Sequence, residues 1–133
     1  MTISFYKSVI FDIIYKNMHI EAFRDYCLSK KGVTEGFPFG EDVLVFKVLD
    51  KIFTLTSLRT DEFKVNLKCN PERAIELREE FESVQPAFHM NKKHWNTIHV
   101  ARFSNSSLFM ELIDHSYDLV VKGMTKKNRT LLT

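Results

Sequence analysis

The sequence predicts one α+β domain in which an antiparallel sheet is covered on one face by helices. Three observations predict it. Segments 43–49, 52–58 and 63–69 alternate apolar and polar residues with the period of a strand. Three other segments repeat apolar residues at helical spacing. At 133 residues, 44% hydrophobic and 27% charged, the chain has the size of a single domain and the composition of a globular one.

The first helix is expected from His19 to Leu28. Ile20, Phe23, Cys27 and Leu28 share one face, Asn17 is a candidate cap, and Gly32 stops the helix. Residues 33–42 read as a turn-rich passage around Phe37-Pro38-Phe39-Gly40. Three strands follow. In the first, Leu44, Phe46 and Val48 lie opposite Val43, Val45 and Lys47. In the second, Phe53 and Leu55 lie opposite Thr54 and Thr56. In the third, Phe63, Val65, Leu67 and Cys69 lie opposite Lys64, Asn66 and Lys68. Asp50-Lys51 is the expected tight turn, since Asp tolerates a left-handed backbone.

Asn70-Pro71-Glu72 then opens a helix, with a cap, a proline at the first helical position and an acid in the first turn. Ala74, Leu77 and Phe81 face inward, Arg78 and Glu82 are spaced to pair along it, and Val84-Gln85-Pro86 ends it. Trp95 to Val100 alternates as a fourth strand, with Ile98 and Val100 inward and Trp95, Thr97 and His99 outward. Asn105 or Ser106 caps a last helix to about Val121, built on Phe109, Leu112, Ile113 and Val120. Gly123 closes it and a basic tail follows.

A formal net charge of +2 does not by itself mark a nucleic-acid binder, but its distribution is uneven. Glu72, Glu76, Glu79, Glu80 and Glu82 mass on one helix, whereas 87–103 holds Lys92, Lys93 and Arg102 with no acid. The outward sheet positions, Lys47, Thr54, Thr56, Lys64, Asn66, Lys68, Trp95, Thr97 and His99, join Lys92 and Lys93 in a basic face with one large aromatic. Lysines neutralise phosphates and an indole stacks on bases. An ordinary wet sheet face carries the same residue types, so composition and spacing leave both readings open.

No nucleophile elbow, phosphate-cradling glycine loop or zinc-protease motif is present, and no enzymatic activity is expected. His89, His94 and His99 lack the carboxylate or thiolate that would complete a metal set, so neither metal nor cofactor is expected. Cys27 and Cys69 read as reduced, buried thiols of a cytoplasmic protein. No run reaches the roughly 18 apolar residues of a membrane span. The apolar stretch 1–15 is broken by Asp12 and has no small-residue cleavage site, so a signal peptide is not expected.

Several runs together resemble the MmcQ/YjbR family of small bacterial proteins. They are Phe37-Pro38-Phe39-Gly40, Phe46-Lys47-Val48, Lys51-Ile52-Phe53, Asn66-Leu67-Lys68-Cys69 with Pro71-Glu72, and above all His89-Met90-Asn91-Lys92-Lys93-His94-Trp95-Asn96-Thr97. Ser116-Tyr117 and Leu119-Val120 fit the family's closing helix. The resemblance runs from about Met18 to Arg129. It implies a CyaY-like (frataxin-like) fold and a DNA-binding role in a double-wing arrangement. Many relatives have a glycine where this chain has Asp50-Lys51. Residues 1–17 precede the usual family start and are either an upstream misassignment before Met18 or an extra helix presenting Phe5, Val9 and Ile13. The family-like domain is 18–133.

The resulting expectation is a DNA-binding protein of low sequence specificity that uses Lys47, Lys51, Lys64, Lys68, Lys92, Lys93, His94, Trp95 and Asn96. A protein-interaction or small-ligand module on the same surface is the alternative. Iron handling ranks behind both, because the acids are interleaved with Arg73 and Arg78 rather than massed as oxygen donors.

Overall fold

A computed structural model describes residues 19–59, 62–87 and 89–133. Residues 1–17, and with them the alternatives for the N-terminal segment and the Asn17 cap, lie outside the described residues. In chain order the elements are α1 (Ile20–Leu28), β1 (Val33–Gly36), β2 (Val43–Val48), β3 (Lys51–Ser57), β4 (Lys64–Lys68), α2 (Pro71–Glu80), β5 (Val84–Pro86), β6 (Trp95–His99), α3 (Ser106–Lys122) and α4 (Lys126–Thr130). A 3-10 turn, Val100–Arg102, links β6 to the approach of α3. The six strands form one antiparallel sheet in the order β1-β2-β3-β4-β6-β5.

The predicted α+β architecture is present, with all three longer helices feeding one core. Phe23 of α1 meets Phe46 edge-on at 5.5 Å and Phe63 at 5.6 Å, and stacks on Phe109 of α3 at 6.2 Å. Such ring pairs add to the stabilisation from area burial alone. Leu44, Phe46, Val48, Val65, Leu67 and Ile98 supply the sheet side of this core. α1 and α3 are also clasped at their polar edge. Tyr26 Oη donates to Asp114 Oδ1 at 2.6 Å, Lys30 pairs with the same carboxylate, and the Lys30 ammonium lies 5.0 and 5.1 Å from the Tyr26 and Tyr117 rings.

Helix ends follow the expected chemistry where caps exist. Asn70 Oδ1 accepts from the amides of Glu72 and Arg73, and Asn105 Oδ1 accepts from Leu108 N. Residue Gly123 is the C-cap of α3. His19 occupies the N-cap of α1 without a side-chain hydrogen bond. α2 ends at Glu80, so Glu82 lies beyond it and the expected Arg78–Glu82 helix pair does not form; Arg78 is used elsewhere.

Two strands were not expected. Val33–Gly36 and Val84–Pro86 are short edge strands within segments that read as turn and helix stop. The basic tail likewise contains α4, whose N-cap Thr125 accepts from Asn128 N.

The face assignment of β3 is corrected. Phe46 pairs with Thr54 but Lys47 pairs with Ile52, so Phe53 is an extra residue in β3. This bulge shifts the alternation by one position. Thr54 lies opposite Phe46 and Leu67, and Thr56 opposite Leu44 and Val65, so both threonines point at the helices and are buried. Their hydroxyls donate to the carbonyls of Asn66 and Lys64 at 2.8 and 2.6 Å. Leu55 takes the opposite face. The turn is corrected too. Val48 pairs with Lys51, and Leu49 and Asp50 take positive φ of 45° and 69°, so the two-residue turn is Leu49-Asp50 and Lys51 begins β3.

Candidate functional site

The β4–β6 ladder positions most of the expected site. Lys68 pairs with Trp95, Asn66 with Thr97 and Lys64 with His99. Directly opposed residues share a face, so these six side chains line the side of the sheet away from the helices. Asn66 Oδ1 accepts from Thr97 Oγ1 at 2.6 Å, and Asn66 Nδ2 approaches the Met90 sulfur at 3.7 Å. Lys47 reaches the same face from β2, opposite Ile52.

This face is less wet than its composition suggests. Thr97, His99 and Val45 are buried on it, while Lys47, Lys64, Lys68 and Trp95 are half-buried. His99 is held at both ring nitrogens, by Glu62 Oε1 at 2.7 Å and Gln85 Oε1 at 3.0 Å. Glu62 also accepts from Arg102. The hydrogen bond from His99, aided by Arg102, holds the Glu62 carboxyl below its ordinary value. His99 is therefore a structural tie between β6, β5 and the β3–β4 connection.

The loop ahead of β6 is built as a turn. Lys93 N donates to Asn91 Oδ1 at 2.9 Å, His94 N donates to Asn91 O at 3.1 Å, and Cys69 N donates to His94 O at 2.8 Å. Lys92 and Lys93 are exposed on it and His94 is half-buried. Arg78 fastens the loop to α2, since its Nη2 donates to the Lys92 carbonyl.

Asn96, expected at the contact surface, is corrected to a buried structural residue. It is 2% exposed; its Oδ1 accepts from Arg78 Nε at 2.6 Å and its Nδ2 donates to the Ala74 carbonyl at 3.3 Å. Its side chain points at α2 because β6 alternates and Trp95 takes the other face. Sequence spacing placed Asn96 beside Trp95 in the chain but could not show that Arg78 would claim it.

The strand register also sorts residues by end. The Leu49-Asp50 turn, Lys51, Lys68, Trp95 and the 92–94 loop share one end of the sheet. At the other end, the β1–β2 and β3–β4 connections meet through Leu58 N donating to Asp42 O at 2.7 Å and an Arg59–Asp42 ion pair. Phe37, Phe39 and Leu58 are exposed there, at 50%, 64% and 43%.

The cysteines are core residues. Burial pushes the Cys69 thiol up to about 11 and the Cys27 thiol higher still, so neither is a thiolate near neutral pH. Among the described residues no group of three or more His, Cys, Asp or Glu side chains is arranged to hold a metal ion. Among them also, no helix is long and apolar enough to cross a membrane.

A small α+β domain with an antiparallel sheet, helices on one face and an arginine-anchored loop before β6 is the class this geometry defines. The chain belongs to the YjbR family, whose model matches residues 28–119. It is 38% identical over 94 residues to the uncharacterised protein YbdF of Escherichia coli O157:H7, covering 70% of this chain and 76% of that one. It is 30% identical over 115 residues to the uncharacterised protein YjbR of Escherichia coli strain K12, covering 86% and 98%. Among solved structures, the Deinococcus radiodurans protein DR2400 superposes with a TM-score of 0.81 at 37% identity, over 88% of this chain and 89% of that one. A Pseudomonas syringae protein superposes with a TM-score of 0.66 at 28% identity, over 77% and 98%.

Proposed function

We propose that this protein is a non-enzymatic, cytoplasmic DNA-binding protein of low sequence specificity, on a CyaY-like arrangement of sheet and helices. The observation that carries the reading is the Lys68–Trp95 pair beside the exposed Lys92-Lys93 turn. Cations for phosphates and a half-exposed indole for a base lie at one end of one sheet face. Lys51 extends the charge along that end, and Lys47 and Lys64 extend it along the face. Arg78 contributes indirectly, by fixing the turn from behind.

Lysine-dominated contacts position a nucleic acid without reading its sequence. Binding therefore falls steeply with salt, and Trp95 matters more on single strands, where bases are free to stack. The test titrates labelled duplex and single-stranded DNA at several salt concentrations. Lys92→Ala/Lys93→Ala weakens both, and Trp95→Ala weakens single-strand binding more than duplex binding. Absence of binding at low salt, or an unchanged double variant, rejects the reading.

The exposed Phe37, Phe39 and Leu58 favour a second reading, a protein-interaction module working from the opposite end. Apolar contacts survive high salt. A partner retained in high salt and lost with Phe37→Ser/Phe39→Ser supports that module, and a partner indifferent to both substitutions rejects it.

A further inference from the structure

The C-terminal helix lies outside the surface just proposed, yet it is fixed at the same end of the sheet. Its anchor is Gly32. A Cβ added there would meet Leu132 Cδ2 at 2.5 Å and Leu49 Cδ2 at 3.5 Å. Gly32 also takes φ +76°, and its carbonyl accepts from Leu49 N at 3.2 Å. Leu132 thus rests on the bare backbone between α1 and β1, and Leu49 of the β2–β3 turn approaches the same glycine. Met124, buried in the core, holds the start of the segment, and Thr125 caps α4. α4 is docked rather than trailing.

This docking determines where its charges lie. Lys126, Lys127 and Arg129 are exposed, and among the described residues none of them forms an ion pair. Lys31 precedes Gly32 and is exposed beside the anchor, and Lys51, also exposed, lies just past the turn whose Leu49 approaches that glycine. Within residues 31–32, 49–51 and 126–130, Asp50 is the one acid, too little to neutralise them. Fixed, unpaired cations of one sign make a local field that draws a polyanion.

We infer that α4, with Lys31, is a second phosphate-contacting surface, joined through Lys51 along the basic end of the molecule to the Lys68–Trp95 site. The inference rests on the DNA-binding reading and names the part of the protein that extends the contact along the nucleic-acid backbone. The occupant is a duplex long enough to reach both surfaces. The chemistry it recognises is a row of phosphates, not base edges.

The test compares full-length wild type with Lys126→Ala/Lys127→Ala/Arg129→Ala and with Lys126→Arg/Lys127→Arg/Arg129→Lys on labelled duplex DNA. Circular dichroism and thermal melting check that each variant is folded. Loss of two or three phosphate contacts lowers the slope of log affinity against log salt by roughly 2 and weakens low-salt binding about tenfold or more. The charge-preserving variant keeps wild-type slope and affinity. If the alanine variant binds like wild type while Lys92→Ala/Lys93→Ala weakens binding, the inference is wrong and the DNA-binding reading stands. If the charge-preserving variant loses binding as much as the alanine variant, charge is not the cause and the inference is also wrong. If wild type does not bind at low salt, both fall.

Discussion

Arg78 Nε donates to Asn96 Oδ1 at 2.6 Å, and with the Asn96 Nδ2 bond to the Ala74 carbonyl it joins α2 to the fifth strand in sheet order. The same guanidinium reaches the Lys92 carbonyl, so one side chain ties the helix, the β6 strand and the exposed lysine turn together. The planar fork of arginine makes this double reach possible. The residues presented to solvent at 92–93 thus depend on a residue that lies behind them.

Truncating Arg78 leaves the buried Asn96 carbonyl oxygen without its donor. Arg78→Ala is expected to destabilise the fold by about 1–3 kcal/mol. Arg78→Lys recovers little of it, since an ammonium cannot reproduce both bonds. Urea unfolding of the two variants measures this, and a lysine variant as stable as wild type contradicts the two-pronged role.

Ser116 has a comparable task in the core. Its hydroxyl donates to the Phe53 carbonyl, at the β3 bulge, and accepts from Lys68 N at 2.9 Å. Bulged residues leave ladder groups unpaired, and a fully buried serine supplies the partner. Ser116→Ala removes little volume but strands both backbone groups, at a cost of about 1–3 kcal/mol. Ser116→Val fills more space and restores nothing, so it is expected to be no better. Chemical denaturation distinguishes this from a simple packing role, in which valine would be the more stable of the two.

The hairpin turn offers a gain. Asp50 adopts φ 69°, a left-handed conformation that costs most residues about 1–2 kcal/mol and aspartate less. Asp50→Gly is expected to stabilise by about 0.5–1 kcal/mol. Lys51→Gly, inside the strand, is expected to destabilise. A thermal-melt pair with the opposite ordering would place the turn at Asp50-Lys51 instead.

One histidine couples stability to pH. His115 Nε2 accepts from the backbone amide of Asn70, the residue that caps α2, at 3.1 Å. Burial, reinforced by nearby Arg73 and opposed by Glu111 and Asp118, holds the His115 pKa below its ordinary 6.5. As pH falls the unfolded chain takes the proton first. The contribution is therefore complete above about 6.5 and is lost as pH drops from there towards the folded value. Glu35 and Glu62, whose carboxyls are depressed by Arg24 and His99, lose their contributions only at lower pH. Urea midpoints of wild type and His115→Gln at pH 7.5 and 5.5 test this. His115→Gln is expected to show a smaller drop than wild type, and an equal drop assigns the pH dependence elsewhere.

What was legible in the sequence depended on length and clean periodicity. β4 alternates without interruption, and α3 carries a long apolar stripe between Asn105 and Gly123; both match their expected places. β3 was legible as a strand but not in its facing, because a one-residue bulge leaves no mark in composition and inverts every later position. β1 and β5 span too few residues to display a period, and their pairing comes from neighbours distant in the chain. Within the candidate site, Lys47, Lys64, Lys68 and Trp95 lie on the face where alternation put them, whereas Lys51 begins β3 rather than forming the turn. Asn96 does not serve as expected, because its environment is set by Arg78 and Ala74 on a helix whose approach no local pattern encodes.

The two outermost strands carry one more consequence. β5 is three residues long and ends in Pro86, which has no amide hydrogen to offer. β1 is four residues long, and its Glu35 is gripped by Arg24, with Arg24 Nε donating to Glu35 Oε2 at 2.7 Å. A short border closed by proline and a short border carrying a clamped charge are both poor templates for another chain's backbone. Among the described residues, the borders of the sheet are thus guarded against edge-to-edge self-association and fibril growth.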